Sequence, residues 1–345
     1  YLTAGKFLVQ AFDNQNTLVL PADGTTYVAQ GSGRAQQELQ RQTGSPAAAV
    51  RNSAGGVVYA LYQTISGTTR QLPAALGIQP FNADIGHIVS LDGWQASGLT
   101  AGAPSTVAVA WHVTQTPVAG AANVRLFAHL VDKDGKVWST DPDVEGFPRS
   151  SWQAGDTVLS WFDLKPPSAT PLGGYWLELG MYEAASGQRL PVFRNGQDAG
   201  SSLRIGPLRV GPAQTAAPPQ LQAIFGQREI GLAQAQLRGS QLLVTWLALS
   251  QPSQDYTVFV HALDASGRLI GQLDAPPLSG SYPTTLWKPG DVVHDNYDLG
   301  PAAARAAQIE IGLYTQPGLQ RLAATTPNGS SLGDRVLVPA KPAAS

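Results

Sequence analysis

The sequence predicts a mainly β protein: two tandem antiparallel β-sandwich domains, immunoglobulin-like or jelly-roll-like, preceded by a small partial α/β segment. Three observations lead to this fold class. Gly (37) and Pro (26) are abundant and only 13% of the 345 residues are charged, which suits short strands joined by many turns. Residues 123–164 are repeated at 255–299. Apolar residues alternate with period two in both copies, as expected for antiparallel sheets with one buried face.

Two constant offsets define the repeat. Phe127 returns as Phe259, an offset of 132 positions, and Trp152 returns as Trp287, an offset of 135. The first offset also relates His129, Asp132 and Gly135 to His261, Asp264 and Gly267. The second relates Pro148, Gly155, Asp156 and Asp163 to Pro283, Gly290, Asp291 and Asp298. We therefore expect two copies of one domain, in which Gly135 and Gly267 close β-hairpin turns.

The first 66 residues differ from the rest of the chain. They predict short strands at Thr17–Pro21 and Thr25–Ala29, a helix at Gly33–Thr43 and a further strand at Gly56–Ile65. The helix prediction depends on a run of helix-forming residues that contains no internal Gly or Pro. This segment is too short for a complete doubly wound domain.

Composition shifts divide the remainder of the chain. Residues 67–80 are predicted to be a linker, and residues 81–211 the first β-sandwich. A Pro/Ala-rich stretch marks a second linker at 212–219. The second β-sandwich then covers 220–339, and a Pro/Ala-rich tail covers 340–345.

The composition excludes several kinds of function. A net charge of −2 gives no reason to expect a nucleic-acid partner, and the absence of Cys excludes disulfides and thiolate chemistry. The five histidines lie in different segments, and the sequence contains no GxSxG or HExxH motif. We therefore predict no catalytic residue, no metal and no cofactor in this chain.

The strongest candidate for a binding site is a set of residues that both copies carry. In the first copy Phe127, His129, Glu178 and Tyr182 lie on the less apolar face of their strands, and the second copy has Phe259, His261, Glu310 and Tyr314. Sugars are held by such a mixture, because rings stack on C–H faces and polar groups bond to hydroxyls. The interpretation that we favour is simpler: each His–Glu pair is a structural cross-strand contact that orients a half-buried histidine.

Three weaker signals have simpler interpretations. Trp152 and Trp287 are either exposed stacking platforms or, as we favour, residues that fill the end of a sandwich. Asp141, Asp143 and Glu145 can supply Ca²⁺ ligands, although a solvated acidic loop is the favoured interpretation. Gly31-Ser-Gly33 before the predicted helix lacks the rest of any phosphate-binding motif.

The second copy also carries a family resemblance. Its phrases DYTVFVHALD, SYPTTLWKPGDVVHDNYDL and IGLY resemble a β-sandwich module at the end of family 39, protein-mannosyltransferase-like membrane glycosyltransferases of Chloroflexi-type bacteria. Residues 11–24 are similar to the α/β segment that precedes such modules. The resemblance implies an enzyme that transfers sugar from a polyprenyl-phosphate donor outside the membrane. The catalytic carboxylate of that family lies in a membrane-domain loop that nothing here matches.

These observations lead to one leading hypothesis and two alternatives. The leading hypothesis is a non-catalytic extracytoplasmic tail of a membrane glycosyltransferase-like protein, anchored through a segment upstream of Tyr1. Its expected partners are a glycan or polyprenyl-linked sugar acceptor, its own upstream membrane domain, or identical subunits. The first alternative is a structural cell-surface protein, such as a filament or envelope subunit. The second alternative is a stand-alone carbohydrate-binding protein.

Overall fold

The chain is mainly β, as predicted, with 50% strand and 8% helix. The computed structural model describes residue 10 and residues 12–13, 15–31, 33–64, 76–96, 98–141, 147–212 and 217–340. Most of the predicted linkers and tail therefore lies outside the described residues. The chain divides into a first unit, Tyr1–Pro167 with Trp176–Gly206, and a second unit, Ser168–Tyr175 with Pro207–Ser345.

The elements before the first repeat lie close to their predicted positions. They are β1 (Thr17–Leu20), β2 (Thr26–Gln30), α1 (Arg34–Thr43), β3 (Ala48–Arg51) and β4 (Val57–Gln63). Only β3 has no counterpart in the sequence prediction. Its four residues are all exposed, so they show no alternation between apolar and polar positions.

Among the described residues, the first repeat contains eleven strands and the second contains ten. Those of the first repeat are β5 (Gln79–Ile85), β6 (Val89–Ala96), β7 (Leu99–Thr100), β8 (Ser105–Val113), β9 (Val124–Val131), β10 (Val137–Thr140), β11 (Thr157–Leu164), β12 (Gly173–Glu183), β13 (Val192–Arg194), β14 (Gln197–Asp198) and β15 (Leu203–Gly211). Those of the second are β16 (Ala223–Phe225), β17 (Ile230–Arg238), β18 (Gln241–Ala248), β19 (Tyr256–Leu263), β20 (Leu269–Ala275), β21 (Val292–Asp298), β22 (Gln308–Thr315), β23 (Ala324–Thr325), β24 (Ser331–Gly333) and β25 (Val336–Pro339). Short 3₁₀ turns occupy Arg149–Ser151, Pro277–Gly280, Thr284–Leu286 and Gly300–Arg305.

The two repeats share one sheet topology. In the first repeat the strand orders are β11-β8-β6-β5-β13-β14 and β10-β9-β12-β15-β7. In the second repeat they are β21-β18-β17-β16-β23-β24 and β20-β19-β22-β25. Apart from β7, every strand of the first repeat has an equivalent at the same place in the second. The duplication seen in the sequence is therefore a duplication of topology.

The hairpin turns form as the sequence predicts. Gly135 and Gly267 have φ values of 87° and 79°, which glycine adopts without steric cost. The Asp132 Oδ1 atom accepts hydrogen bonds from two backbone N–H groups in its turn, both at 3.0 Å. Asp264 Oδ1 does the same at 2.9 and 3.0 Å. Each Asp-x-x-Gly turn thus places the following strand beside its partner.

The α/β segment shares a sheet and a core with the first sandwich. Strand β1 pairs antiparallel with β11, with Thr17 opposite Ser160. The separate three-stranded sheet β2-β4-β3 and α1 pack against the same sandwich. The small side chains of Ala108 and Ala110 leave room for this packing on the outer face of β8. The shared core contains Leu18, Leu20, Tyr27, Leu39, Tyr62, Leu159 and Trp161.

The core of the second unit lies between its two sheets. The predicted alternation is observed in β19, where Tyr256, Val258, Val260 and Ala262 are buried in this core. They meet aromatic side chains from the facing elements, including Trp246 and Trp287. Each fully buried large apolar side chain contributes roughly 1.5–3 kcal/mol. Among the described residues, no helix is long and apolar enough to cross a lipid bilayer.

Candidate functional site

In each unit, the four residues of the predicted binding face lie together. His129 on β9 stands opposite Glu178 on β12, and His261 on β19 stands opposite Glu310 on β22. The Phe127 ring lies 4.8 Å from the His129 ring and 6.3 Å from the Tyr182 ring, measured between centroids. In the second unit the Phe259 ring lies 5.1 Å from His261 and 6.4 Å from Tyr314.

A glycine lies directly beneath each phenylalanine ring. Phe127 stands opposite Gly180 across the strands, and Phe259 stands opposite Gly312. A Cβ atom added to Gly312 would lie only 2.4 Å from the Phe259 Cζ atom, and one added to Gly180 would lie 2.5 Å from Phe127 Cζ. Each ring therefore rests on the backbone of the neighbouring strand, where only glycine leaves space.

An arginine covers the other side of each ring. The Arg189 guanidinium carbon lies 4.4 Å from the Phe127 ring centroid, and that of Arg321 lies 4.1 Å from Phe259. Arg321 Nη1 also lies 3.2 Å from Glu310 Oε1, and Arg189 Nη1 lies 3.5 Å from Glu178 Oε1. Neither arginine was predicted from the sequence, although the two are related by the same 132-position offset as the phenylalanines.

This arginine–phenylalanine–glycine stack leaves no phenylalanine face for a sugar. Phe127 and Phe259 are each only 2% exposed. Stacking a pyranose on either ring therefore requires the covering arginine to move. The geometry therefore gives the two phenylalanines a packing role. The hypothesis that they stack on a sugar stays a prediction, and the positions of the rings do not support it.

The His and Glu side chains of each pair lie close together without forming a hydrogen bond. The Nδ1 atom of His129 lies 3.7 Å from Glu178 Oε2, and that of His261 lies 3.8 Å from Glu310 Oε1. Glu178 instead accepts a hydrogen bond from Ser202 Oγ at 2.7 Å. Burial acts to raise the pKa of Glu178, but this hydrogen bond and the nearby positive charges hold the pKa below its usual range.

A groove of about 370 Å³ opens on this face in the second unit. It is lined by Asp255, Tyr256, Thr257, Asp274, Pro276, Tyr314 and Gln316. Thr257 stands opposite Tyr314 on β22, and Asp274 on β20 stands opposite Phe259. Because opposed residues of antiparallel strands point to the same side of the sheet, the groove is continuous with the predicted face.

The groove presents mainly hydrogen-bond acceptors. Asp255 Oδ1 is held by the backbone N–H and hydroxyl of Thr285, at 2.9 and 2.8 Å. The Tyr314 hydroxyl accepts from Gln316 Nε2 at 3.3 Å, which leaves its own proton for donation. Thr257 and Asp274 have no hydrogen-bond partner among the described residues of the chain. A ligand must therefore bring several donors.

The sequence at the equivalent positions differs in the first unit. Arg125 stands opposite Tyr182, whereas its counterpart in the second unit is Thr257. Strand β10 ends at Thr140, opposite His129, whereas β20 continues to Ala275, opposite Val258. The groove therefore depends on the longer hairpin of the second copy, which carries Asp274.

The two repeated tryptophans are buried, which agrees with the interpretation that they fill the end of each sandwich. Trp152 is 2% exposed, and its Nε1 donates to the Phe147 carbonyl at 3.0 Å. Trp287 is 0% exposed, and its Nε1 donates to the Tyr282 carbonyl at 3.1 Å. Neither ring can serve as an exposed stacking platform.

A buried polar cluster lies beside Trp287 in the second unit. Asp291 accepts hydrogen bonds from Arg209 Nη2 at 2.5 Å, from the Tyr282 hydroxyl at 2.5 Å and from the Lys288 backbone N–H at 2.8 Å. Burial and the adjacent carboxylate both raise the pKa of Tyr282 well above its usual range. A neutral tyrosine in a satisfied network has no obvious catalytic use, so we assign the cluster a structural role.

The other candidate sites gain no support. Asp141 accepts a hydrogen bond from the Asp163 backbone N–H at 2.8 Å, whereas Asp143 and Glu145 lie outside the described residues. Ser32, in the centre of the Gly-Ser-Gly sequence, also lies outside them. Within the described part of the chain, no group of three His, Asp or Glu side chains can hold a metal ion.

Comparisons with known proteins identify no family. No family model matches the sequence, and no curated protein does. Among solved structures, a protein named pT26-6p is similar at 8% identity with a TM-score of 0.21, over 78% of this chain and 66% of that one. A mutant of Salmonella alpha-2-macroglobulin is similar at 9% identity with a TM-score of 0.20, over 95% of this chain and 20% of that one.

Proposed function

We propose that this chain is a non-catalytic glycan-binding protein, and that the groove of the second unit is its binding site. The observation that carries the proposal is the acceptor-rich lining beside Tyr314. Sugar hydroxyls donate readily to carboxylates such as those of Asp255 and Asp274. The rings of Tyr314 and Pro276 offer apolar edges for C–H contacts.

The charge of the groove argues for a glycan without phosphate. Two carboxylates and no cationic side chain are among its lining residues. A phosphate group would be repelled by Asp255 and Asp274, because like charges placed side by side oppose binding. Of the sugar partners that we expected, a glycan without phosphate therefore suits the groove better than a polyprenyl-linked sugar acceptor that carries a phosphate.

We further propose that the chain is the extracytoplasmic tail of a membrane glycosyltransferase-like protein. This context is supported by the sequence resemblance of the second copy. In that context the groove would hold the acceptor or the growing glycan near an enzyme elsewhere in a longer protein. The sequence upstream of Tyr1 tests this context, since about ten hydrophobic spans would support it and a simple signal peptide would contradict it.

The β2-β4-β3 sheet favours a second candidate, the structural subunit. Val28, Val50 and Tyr59 on this sheet are 66%, 53% and 38% exposed. Strand β3 is at an edge of the sheet, where unpaired backbone groups can pair with another chain. Sedimentation of the chain and of Val50→Lys tests this, because a subunit that uses this edge assembles only without the lysine.

Binding experiments test the proposed site. The intact chain is screened on an array of neutral and charged oligosaccharides, and the best binder is then titrated by calorimetry. We expect Asp274→Asn and Tyr314→Phe to weaken binding by about tenfold each, the usual loss on removing a hydrogen bond to a charged or aligned group. Tyr182→Phe, the matched change in the first unit, is expected to leave binding unchanged. The proposal is refuted if no glycan binds. It is also refuted if Asp274→Asn, Tyr314→Phe and Tyr182→Phe all bind the glycan as tightly as the natural chain does.

A further inference from the structure

The groove carries a negative charge that no described residue of the chain balances. The outer face of β20, β19, β22 and β25 in the second unit includes the carboxylates of Glu310 and Asp334, and both are paired with arginines. Glu310 lies 3.2 Å from Arg321, and Asp334 lies 2.9 Å from Arg335. Asp255 and Asp274 have no ion-pair partner among the described residues, so two negative charges remain where the groove opens.

A second observation marks the groove as a place for a ligand. Thr257 is 7% exposed and lines the groove, and its hydroxyl makes no hydrogen bond within the described chain. This hydroxyl is not a buried atom, so it reaches the open space of the groove and can bond to a ligand there. The Tyr314 hydroxyl, opposite Thr257, retains a free proton for the same space. A bound polar group can satisfy both hydroxyls.

We propose that the groove is selective for an amino sugar, with the ligand's protonated amine placed between Asp255 and Asp274 and its ring hydroxyls at Thr257 and Tyr314. This inference rests on the proposed glycan-binding function and specifies its substrate class. An ammonium group supplies three donors and one positive charge, which match an acceptor-rich groove that lacks a cation. An N-acetylated sugar loses the charge, and a neutral sugar never has it.

Neither a metal ion nor a basic peptide is as good a match. Calcium requires six to eight oxygen ligands, and the described residues contain no group of three potential acidic or histidine ligands. A peptide would present a lysine amine but few hydroxyls for Thr257 and Tyr314. An amino sugar presents the amine and the hydroxyls on one rigid ring, so less conformational entropy is lost on binding.

The experiment compares three tetrasaccharides by calorimetry with the intact chain at pH 6. They are the β-1,4-linked tetramers of glucosamine, of N-acetylglucosamine and of glucose. We expect the glucosamine tetramer to bind at least tenfold more tightly than the other two at about 20 mM salt. At about 500 mM salt the preference should fall severalfold, because counterions screen exposed charges. Asp274→Asn should remove most of the preference, and Asp23→Asn, the same charge change at an exposed site in the first unit, should not alter it.

The outcomes separate this inference from the function on which it rests. If the glucose tetramer binds as tightly as the glucosamine tetramer, and Asp274→Asn weakens both equally, amine selectivity is refuted while glycan binding stands. If none of the three binds, and no array glycan does, both proposals fail. If Ca²⁺ alone binds and Asp274→Asn abolishes that binding, the groove is a cation site and the inference is refuted.

Discussion

Because Phe259 is packed between Arg321 and Gly312, we predict that replacing Gly312 destabilises the second unit. Gly312→Ala places a Cβ atom 2.4 Å from Phe259 Cζ and 2.9 Å from the Asp334 carbonyl oxygen. Ordinary contacts of a Cβ atom begin at 3.4 Å, so the ring must move by about 1 Å. Phe259 is 2% exposed and Arg321 covers its outer face, so the ring has little room to move.

The expected cost follows from these contacts. Overpacking a well-filled site costs about 1–3 kcal/mol. Displacing Phe259 from beneath Arg321 removes a cation–π contact worth about 0.5–1 kcal/mol. Replacing glycine restricts the unfolded chain and returns about 0.4–1 kcal/mol. We therefore expect Gly312→Ala to destabilise the second unit by about 1–3 kcal/mol.

Hydrogen exchange read by mass spectrometry gives the stability of the second unit alone, from peptides that cover β19 and β22. A double-mutant cycle with Phe259→Leu isolates the clash, because the smaller side chain leaves room for the new methyl group. Gly98→Ala serves as the control, since no atom lies within 4 Å of its added Cβ. The reasoning is refuted if Gly312→Ala is neutral, or if it costs as much with leucine at 259 as with phenylalanine.

Two further predictions concern buried and half-exposed charges. Arg209→Met leaves the Asp291 carboxylate buried without its cation, so the second unit should lose about 3–5 kcal/mol, and Asp291→Asn should recover part of this in thermal unfolding. The Asp92 hydrogen bond raises the pKa of His112 above 6.5, so this pair stabilises the fold below about pH 6.5 and loses its effect as pH rises through the raised value. Because the His112 side chain is 38% exposed, His112→Gln should change the difference in unfolding free energy between pH 6 and pH 8 by less than about 1 kcal/mol.

Each of these predictions has a clear contrary result. Arg209→Met without loss of stability would mean that Tyr282 and the Lys288 backbone N–H satisfy Asp291 on their own. A His112 titration at or below 6.5, followed by NMR, would contradict the direction of its pKa shift. If that pKa equals 6.5, the stability of the His112→Gln variant should follow the same pH profile as that of the natural chain. If it lies below 6.5, protonation of His112 destabilises the fold, and the difference between the two profiles has the opposite sign.

For the candidate face, the residue pattern predicted the side of the sheet on which each residue lies. The alternation in β19 and β22 placed Phe259, His261, Glu310 and Tyr314 on one side of a sheet, which is where they lie. Alternation does not reveal what covers a side chain. Arg321 reaches Phe259 from a position after β22, and the sequence carried only one sign of it, the 132-position offset that it shares with Arg189.

The groove could not be predicted from the sequence pattern, for a different reason. Asp274 and Gln316 lie at the ends of β20 and β22, and Asp255 immediately precedes β19. These three positions come together only because both strands pair with β19 in a fixed register. The register follows from the packing of the entire sheet and from the length of the hairpin, neither of which local residue patterns specify.

By itself the sequence determined the fold class, the duplication and the approximate positions of β1, β2, α1 and β4, because strand periodicity and turn residues are local properties. It also indicated which side of β9, β12, β19 and β22 faces the core. Only the tertiary structure decided that the segment before the first repeat shares a sheet and a core with it, since β1 pairs with β11, more than a hundred residues away. The tertiary structure likewise decided that phenylalanine is covered and that Asp274, Thr257 and Tyr314 line an open groove. Long-range pairing and packing create both features, and no single stretch of the chain contains them.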